Sequence, residues 1–221
     1  MKVSNELLEV RVAAAFACFT RPESKAERVS YPVMTPSSAR GVLEAIYWHP
    51  QISWQVEEIW VLKPIRYYSI VRNEVTKLAS PASRIVADDE RAQRHTLALR
   101  DVAYRIRARL ALKPEARHAM PAYIDMFERR VVTGQCFATP YLGCREFSAA
   151  FGPVDPDEPA IDRSDNLGRM LHDLIYEVDG NGRATSGKAT PRFFSARLED
   201  GILRVPLFNE GRGYYAAGKS A

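Results

Sequence analysis

The sequence predicts an α+β fold built on a ferredoxin-like sheet, and three observations lead there. Apolar residues recur at period two in several segments and at helical spacing in two others. In chain order these read strand, helix, strand, strand, then strand, helix, strand, the order of a ferredoxin-like sheet with extra hairpin material. An acidic, proline-bearing stretch, Gly152 to Pro159, then separates these elements from a run of short strands.

Leu7 to Phe19 reads LLEVRVAAAFACF, and Leu8, Val10, Val12, Ala14 and Phe16 share one face of a first strand. A polar, basic loop carrying Arg21, Lys25 and Arg28 follows. Thr35 then acts as an N-cap, with Pro36 opening a helix whose inward face is Ala39, Val42, Leu43, Ile46 and Tyr47. Trp54 to Leu62 and Ile65 to Arg72 are strand-like, rich in aromatic and β-branched residues. Asn73 to Thr96 is polar without period and is expected to be a long loop or insertion.

Ala98 to Leu112 carries the clearest alternation. Val102, Tyr104, Ile106, Ala108 and Leu110 point one way, and Arg105, Arg107 and Arg109 the other. A second helix starts at Pro121, turns Ile124, Phe127 and Val131 inward, and places Arg129 and Arg130 near its end. Met170 to Val178, Arg192 to Leu198 and Ile202 to Val205 read as short strands, with turn dipeptides at Asp179-Gly180 and Asp200-Gly201.

The chain has 221 residues and a net charge of +4, mostly carried by arginine. The planar fork of arginine suits phosphate, so a polyanion partner is compatible with this composition, although many basic enzymes have none. Cys18, Cys136 and Cys144 are odd in number and lack CxxC spacing, so reduced thiols are expected rather than disulfides or a zinc site. No basic-plus-apolar leader precedes the first strand, and no apolar run approaches the roughly 18 residues that span a bilayer. A cytoplasmic protein without membrane contact is expected.

Three guanidiniums at a two-residue step lie roughly 6.5 to 7 Å apart along one strand face, a spacing that tracks a nucleic-acid backbone. The alternative is a solvated face paired with acidic neighbours. Arg21, Lys25 and Arg28 form a second basic group, or simply a polar loop. His49, His95 and His118 are scattered and have no metal-ligand spacing, and Asp88-Asp89-Glu90 reads more simply as a solvated acidic run than as a magnesium site. The GxxxxGK[ST], GxSxG and HExxH patterns are absent, which removes support for the common nucleotide, hydrolase and zinc-protease routes. The usual RNA-recognition stacking motif is also absent.

RNA can still be cut without metal or cofactor, because the substrate carries its own nucleophile in the 2′-hydroxyl. The enzyme need only orient that hydroxyl, move protons and stabilise the phosphate. Tyr47, at the end of the first helix, is a candidate for such work, or else an aromatic packed on the core.

Three blocks, FTRPESKAERVSYPVMTPSSARGVLEAIYWHP, RDVAYRIRARL and MFERRVVTGQCFATPYLGCREF, resemble the type I-C (Dvulg subtype) form of the fifth family of CRISPR-associated proteins, in the same order. The resemblance covers the chain to about Phe151. It implies an RNA-recognition-like domain over residues 1–151 and a small antiparallel β domain over 160–221. It further implies an endoribonuclease that cuts precursor guide RNA at the repeat hairpin and stays bound beside other subunits of a Cascade-type complex. A non-cutting scaffold that binds guide RNA or duplex DNA is the alternative, and a ferredoxin-like enzyme acting on a small molecule a third.

The family's catalytic tyrosine falls on Tyr47, while its lysine and histidine positions fall on Ala122 and Tyr123. His118 and Arg117, just upstream, are the nearest cationic groups to replace them, so the implied catalytic set is Tyr47, Arg117, His118 and Tyr123.

Overall fold

A computed structural model describes residues 2–24, 26–75, 86, 91–178 and 184–207, with side-chain surroundings left aside at 177–178 and 184–188. The strands are β1 (Lys2–Val3), β2 (Leu8–Ala17), β3 (Arg28–Val29), β4 (Ile52–Val61), β5 (Tyr67–Val75), β6 (Arg91–Leu112), β7 (Ala150–Gly152), β8 (Asp165–Val178), β9 (Ala184–Glu199) and β10 (Ile202–Arg204). The helices are α1 (Pro36–Ile46) and α2 (Met120–Thr133). The fold is mixed α+β, a mostly antiparallel sheet carrying two helices. Its strands run in the order β7-β2-β6-β4-β10-β9-β8, with β1, β3 and β5 also paired to β6.

Local chemistry sets the helices as expected. The Thr35 hydroxyl accepts from the Ser38 N–H, and Pro36 occupies the first turn, where its missing N–H costs nothing. Ala39, Val42, Leu43 and Ile46 are buried, as are Tyr123, Ile124, Phe127 and Val131 of α2. These faces close one core with the inward residues of β2, β4 and β6, and the Trp54 and Phe127 rings meet at 4.7 Å.

β6 is the spine of the sheet. Its C-terminal half lies between β2 and β4, while residues 91–99 pair with β5. Asp101 sits near the change of partner with φ 52°, a left-handed conformation that aspartate tolerates better than most residues.

The expected loop over 73–96 is therefore corrected at both ends, since β5 runs to Val75 and β6 begins at Arg91. Both stretches face solvent for most of their length, so there is no apolar face to give them a readable period. The Asp88-Asp89-Glu90 run and the Asp179-Gly180 turn lie outside the described residues.

The acidic stretch expected to be a linker instead packs against the outer face of the sheet. The Arg105 guanidinium donates to the carbonyls of Asp155 (2.5 Å) and Glu158 (2.9 Å), and Arg11 forms a two-pronged pair with the Glu158 carboxylate at 2.6 and 2.8 Å. Beyond it, β10 pairs with β4, so β8, β9 and β10 continue the same sheet. The β9–β10 turn places Asp200 and Gly201 at φ 49° and 75°, the geometry of a type I′ hairpin. A Cβ on Gly201 would stand 2.3 Å from the Ile161 carbonyl oxygen, so glycine is required there. Among the described residues, no helix is long and apolar enough to cross a membrane.

Candidate functional site

The antiparallel register of β4 on β6 sets Ile52 opposite Leu112, so the turn entering β4 meets the turn leaving β6. The Lys113 N–H donates to the Gln51 carbonyl at 2.9 Å and closes the two turns together. The end of α1 feeds into the first turn, and α2 rises out of the second. Two stretches distant in sequence, 46–52 and 112–123, thus meet at one end of the sheet.

Tyr123 is the centre of this meeting point. It is 2 % exposed. Its hydroxyl donates to Gln51 Oε1 at 2.6 Å and lies 3.4 Å from the His118 N–H, while the Arg117 N–H donates to the same Gln51 oxygen at 3.2 Å. Two imidazoles stand edge-on to its ring, His49 with centroids 5.4 Å apart and His118 at 5.9 Å. His49 Nδ1 accepts from the Gln51 N–H at 3.3 Å, an arrangement that suits the tautomer with the proton on Nε2.

Tyr47 ends α1 as its C-cap and is 7 % exposed. Its carbonyl accepts from the Trp54 indole at 3.3 Å. The Arg130 guanidinium lies 5.1 Å from the centre of its ring and donates to the Ile46 carbonyl at 2.7 Å. Burial and the nearby Tyr123 raise the Tyr47 phenol above its usual value, and outweigh the opposing pull of Arg130. At neutral pH it is therefore a neutral hydroxyl.

α2 begins without a side-chain cap and without an acidic residue in its first turn. Its positive end adjoins His118, which favours an anion such as phosphate at this place. The cluster combines two imidazoles, a neutral phenol, a second phenol and the cation of Arg130, with the backbone of Arg117 at its edge. That inventory supports proton transfer at a phosphodiester.

The structure thus gathers all four catalytic candidates, Tyr47, Arg117, His118 and Tyr123, into one region. It also adds His49, Gln51 and Arg130, which the sequence left unassigned. The nucleic-acid candidates lie elsewhere. Arg105 is only 6 % exposed and stacks 4.7 Å from the Trp60 ring, beneath the acidic segment. Arg107 pairs with Glu9 (2.6 Å) and Glu58 (2.7 Å), and Arg109 with Glu57 (2.7 Å). The stripe faces outward as the alternation predicts, but its guanidiniums are held by carboxylates and carbonyls, the arrangement of a paired outer face. Arg21 stacks 4.4 Å from the Tyr31 ring, and Arg28 pairs with Glu146 at 3.2 Å. Lys25 lies outside the described residues. Among the described residues, no group of three or more histidine, cysteine or acidic side chains is placed to hold a metal ion.

Residues 7–206 match the Cas_Cas5d family, described as CRISPR-associated protein (Cas_Cas5). The chain belongs to this Cas5 family. Among its relatives, the CRISPR pre-crRNA endoribonuclease Cas5d of Thermus thermophilus is 44 % identical over 210 residues, covering 90 % of this chain and 91 % of that protein. The protein of the same name from Mannheimia succiniciproducens is 41 % identical over 223 residues, covering 91 % and 95 %. A solved structure described as a CRISPR-associated protein superposes with a TM-score of 0.69 at 19 % identity, over 95 % of this chain and 96 % of that one, a likeness of fold.

Within this Cas5 chain, His49 and Gln51 had no sequence signal of their own. A lone histidine followed by proline at the end of a helix looks like a turn, and only the β4–β6 register brings it to Tyr123. Arg130 was visible as a basic residue near the end of α2, but its position over Tyr47 depends on how the two helices pack.

Proposed function

We propose that this Cas5 chain is an endoribonuclease that cuts precursor guide RNA at the repeat hairpin without metal, and remains bound as a subunit of the type I-C interference complex. The names of the two relatives, both over 40 % identical across most of the chain, support the activity. The observation that carries the reading is the placement of His49 and His118 on the ring of Tyr123, with Tyr47 and Arg130 alongside.

Chemistry follows from those groups. One imidazole takes the 2′-hydroxyl proton as the 2′-oxygen bonds to the adjacent phosphorus. The bond from phosphorus to the 5′-oxygen breaks, and the other imidazole returns a proton to that leaving oxygen. The products are a 2′,3′-cyclic phosphate and a free 5′-hydroxyl. Tyr47 orients the reacting groups as a neutral donor, and Arg117 with Arg130 opposes the charge that builds on the phosphate. The exposed Ala122 supplies none of this, so the work of the family lysine passes to these arginines.

Two further expectations belong to this reading. The order β7-β2-β6-β4, antiparallel throughout, with α1 after β2 and α2 after β6, supports a ferredoxin-like, RNA-recognition-like unit over residues 1–151. The 160–221 portion then serves as a β appendage, and the protein works in the cytoplasm.

Purified protein incubated with its own repeat RNA in EDTA is expected to give one cut and a 2′,3′-cyclic phosphate end. A 2′-deoxy nucleotide at the cut position is expected to block it. The second reading, a scaffold that binds guide RNA or duplex DNA without cutting, is favoured by the neutral Ala122 and would follow from tight binding with no cut.

A further inference from the structure

We infer that Trp48 and Phe137 form a stacking platform for one unpaired nucleobase of the RNA, beside the proton-transfer cluster. The inference rests on the endoribonuclease reading for its ligand and adds residues that this reading does not use. Trp48 is 49 % exposed and Phe137 64 %, yet their rings lie 5.6 Å apart at 31°. Two large rings in contact outside the core leave apolar π-faces in water, a loss that a ligand with a flat face would recover.

The platform is held rigidly. Trp48 follows Tyr47 directly in the chain. The Phe137 N–H donates to the carbonyls of Ala45 (2.9 Å) and Ile46 (3.2 Å), and the Ala138 N–H donates to Ala45 at 2.9 Å. Just upstream, Gly134 at φ 69° caps α2 and turns the chain back towards α1. The segment 137–138 thereby satisfies carbonyls at the end of α1 that would otherwise lack partners.

Charge identifies the occupant. Arg130 donates to the same Ile46 carbonyl at 2.7 Å, so a guanidinium stands next to the Phe137 backbone as well as over Tyr47. Aromatic faces beside a cation match a strand of RNA, whose bases each present a π-face and whose phosphates each carry a negative charge. Holding one base on these rings would fix the neighbouring phosphate near His49, His118 and Tyr47. Sequence context around the cut would then be read by stacking, which tolerates any base but requires that it be unpaired.

The test uses the protein's own repeat RNA, made uncleavable by a 2′-deoxy nucleotide at the cut position, with Kd measured for wild type, Trp48→Ala, Phe137→Ala and Trp48→Phe. Alanine at either position is expected to weaken binding about 5- to 150-fold, the range for losing one stacked base, while Trp48→Phe stays near wild type. An abasic nucleotide at one unpaired position should reproduce the loss in wild type and cost little more in Trp48→Ala. Both rings are exposed, so urea midpoints should not move. Wild-type affinity and cutting in both alanine variants would overturn the platform while leaving the nuclease intact. If, in addition, the variants no longer join the other complex subunits, the rings are a protein interface instead. Failure of the wild type to bind its repeat RNA would overturn the endoribonuclease reading and the platform with it.

Discussion

Burial and the neighbouring Tyr123 raise the Tyr47 phenol, and the Arg130 guanidinium 5.1 Å from the ring centre does not reverse this. A phenol so placed stays protonated through the neutral range, so the proposed mechanism assigns base catalysis to the imidazoles. Tyr47→Phe is expected to fold and bind RNA normally and to cut about 100-fold more slowly, the effect of losing one acid–base or positioning group. His49→Ala and His118→Ala are each expected to cost about as much. Each should also remove one limb of the pH–rate profile, whereas Tyr47→Phe should scale the profile without changing its shape below about pH 10. Single-turnover cutting assays across pH check this, and an unchanged profile in both histidine variants would remove them from the chemistry.

The arginines of β6 show how the outward face of an element is legible along the chain while the partners on that face are not. Alternation along the strand sends Arg105, Arg107 and Arg109 to the outer face, but β2 and β4 carry Glu9, Glu57 and Glu58 to that same face, and the 153–159 segment covers Arg105. Arg105→Ala deletes two charged hydrogen bonds and leaves two carbonyls behind. It is expected to destabilise the protein by about 2 to 3 kcal/mol in urea denaturation. The dependence of RNA affinity on salt should stay constant, whereas a lost phosphate contact would lower its slope by roughly 0.7. Stable folding with a reduced slope would instead place Arg105 on the RNA.

At the scale of the molecule, these pairs make stability depend on pH. Burial alone would raise the Glu58 carboxyl, but hydrogen bonds from Trp60 and Arg107 outweigh it and hold the group below its ordinary 4.5. The Arg11 hydrogen bond does the same for Glu158, against a smaller cost of burial. Each is lowered on folding, so the unfolded chain binds more protons near and below pH 4.5. The stability these pairs give is therefore full above that value and lost as pH falls through the lowered values. Urea unfolding between pH 7 and 3 should show the decline, and Glu58→Gln with Glu158→Gln should flatten it. The sequence by itself determined what depends on neighbours along the chain. It showed the Thr35 cap, the inward stripes of both helices, the outward arginines of β6 and the three blocks shared with the family. Those features follow the short repeats of helix and strand, which one segment displays alone. Exposed β5 and the start of β6 escaped because they bury no face that would impose a repeat. Only the tertiary structure decided that Gln51 meets Tyr123 across 72 residues of sequence, that His49 and His118 flank the same ring, and that the arginine stripe is already paired. Those meetings depend on the register of β4 against β6 and on helix packing, where one residue of slip would send every side chain of a strand to the opposite face.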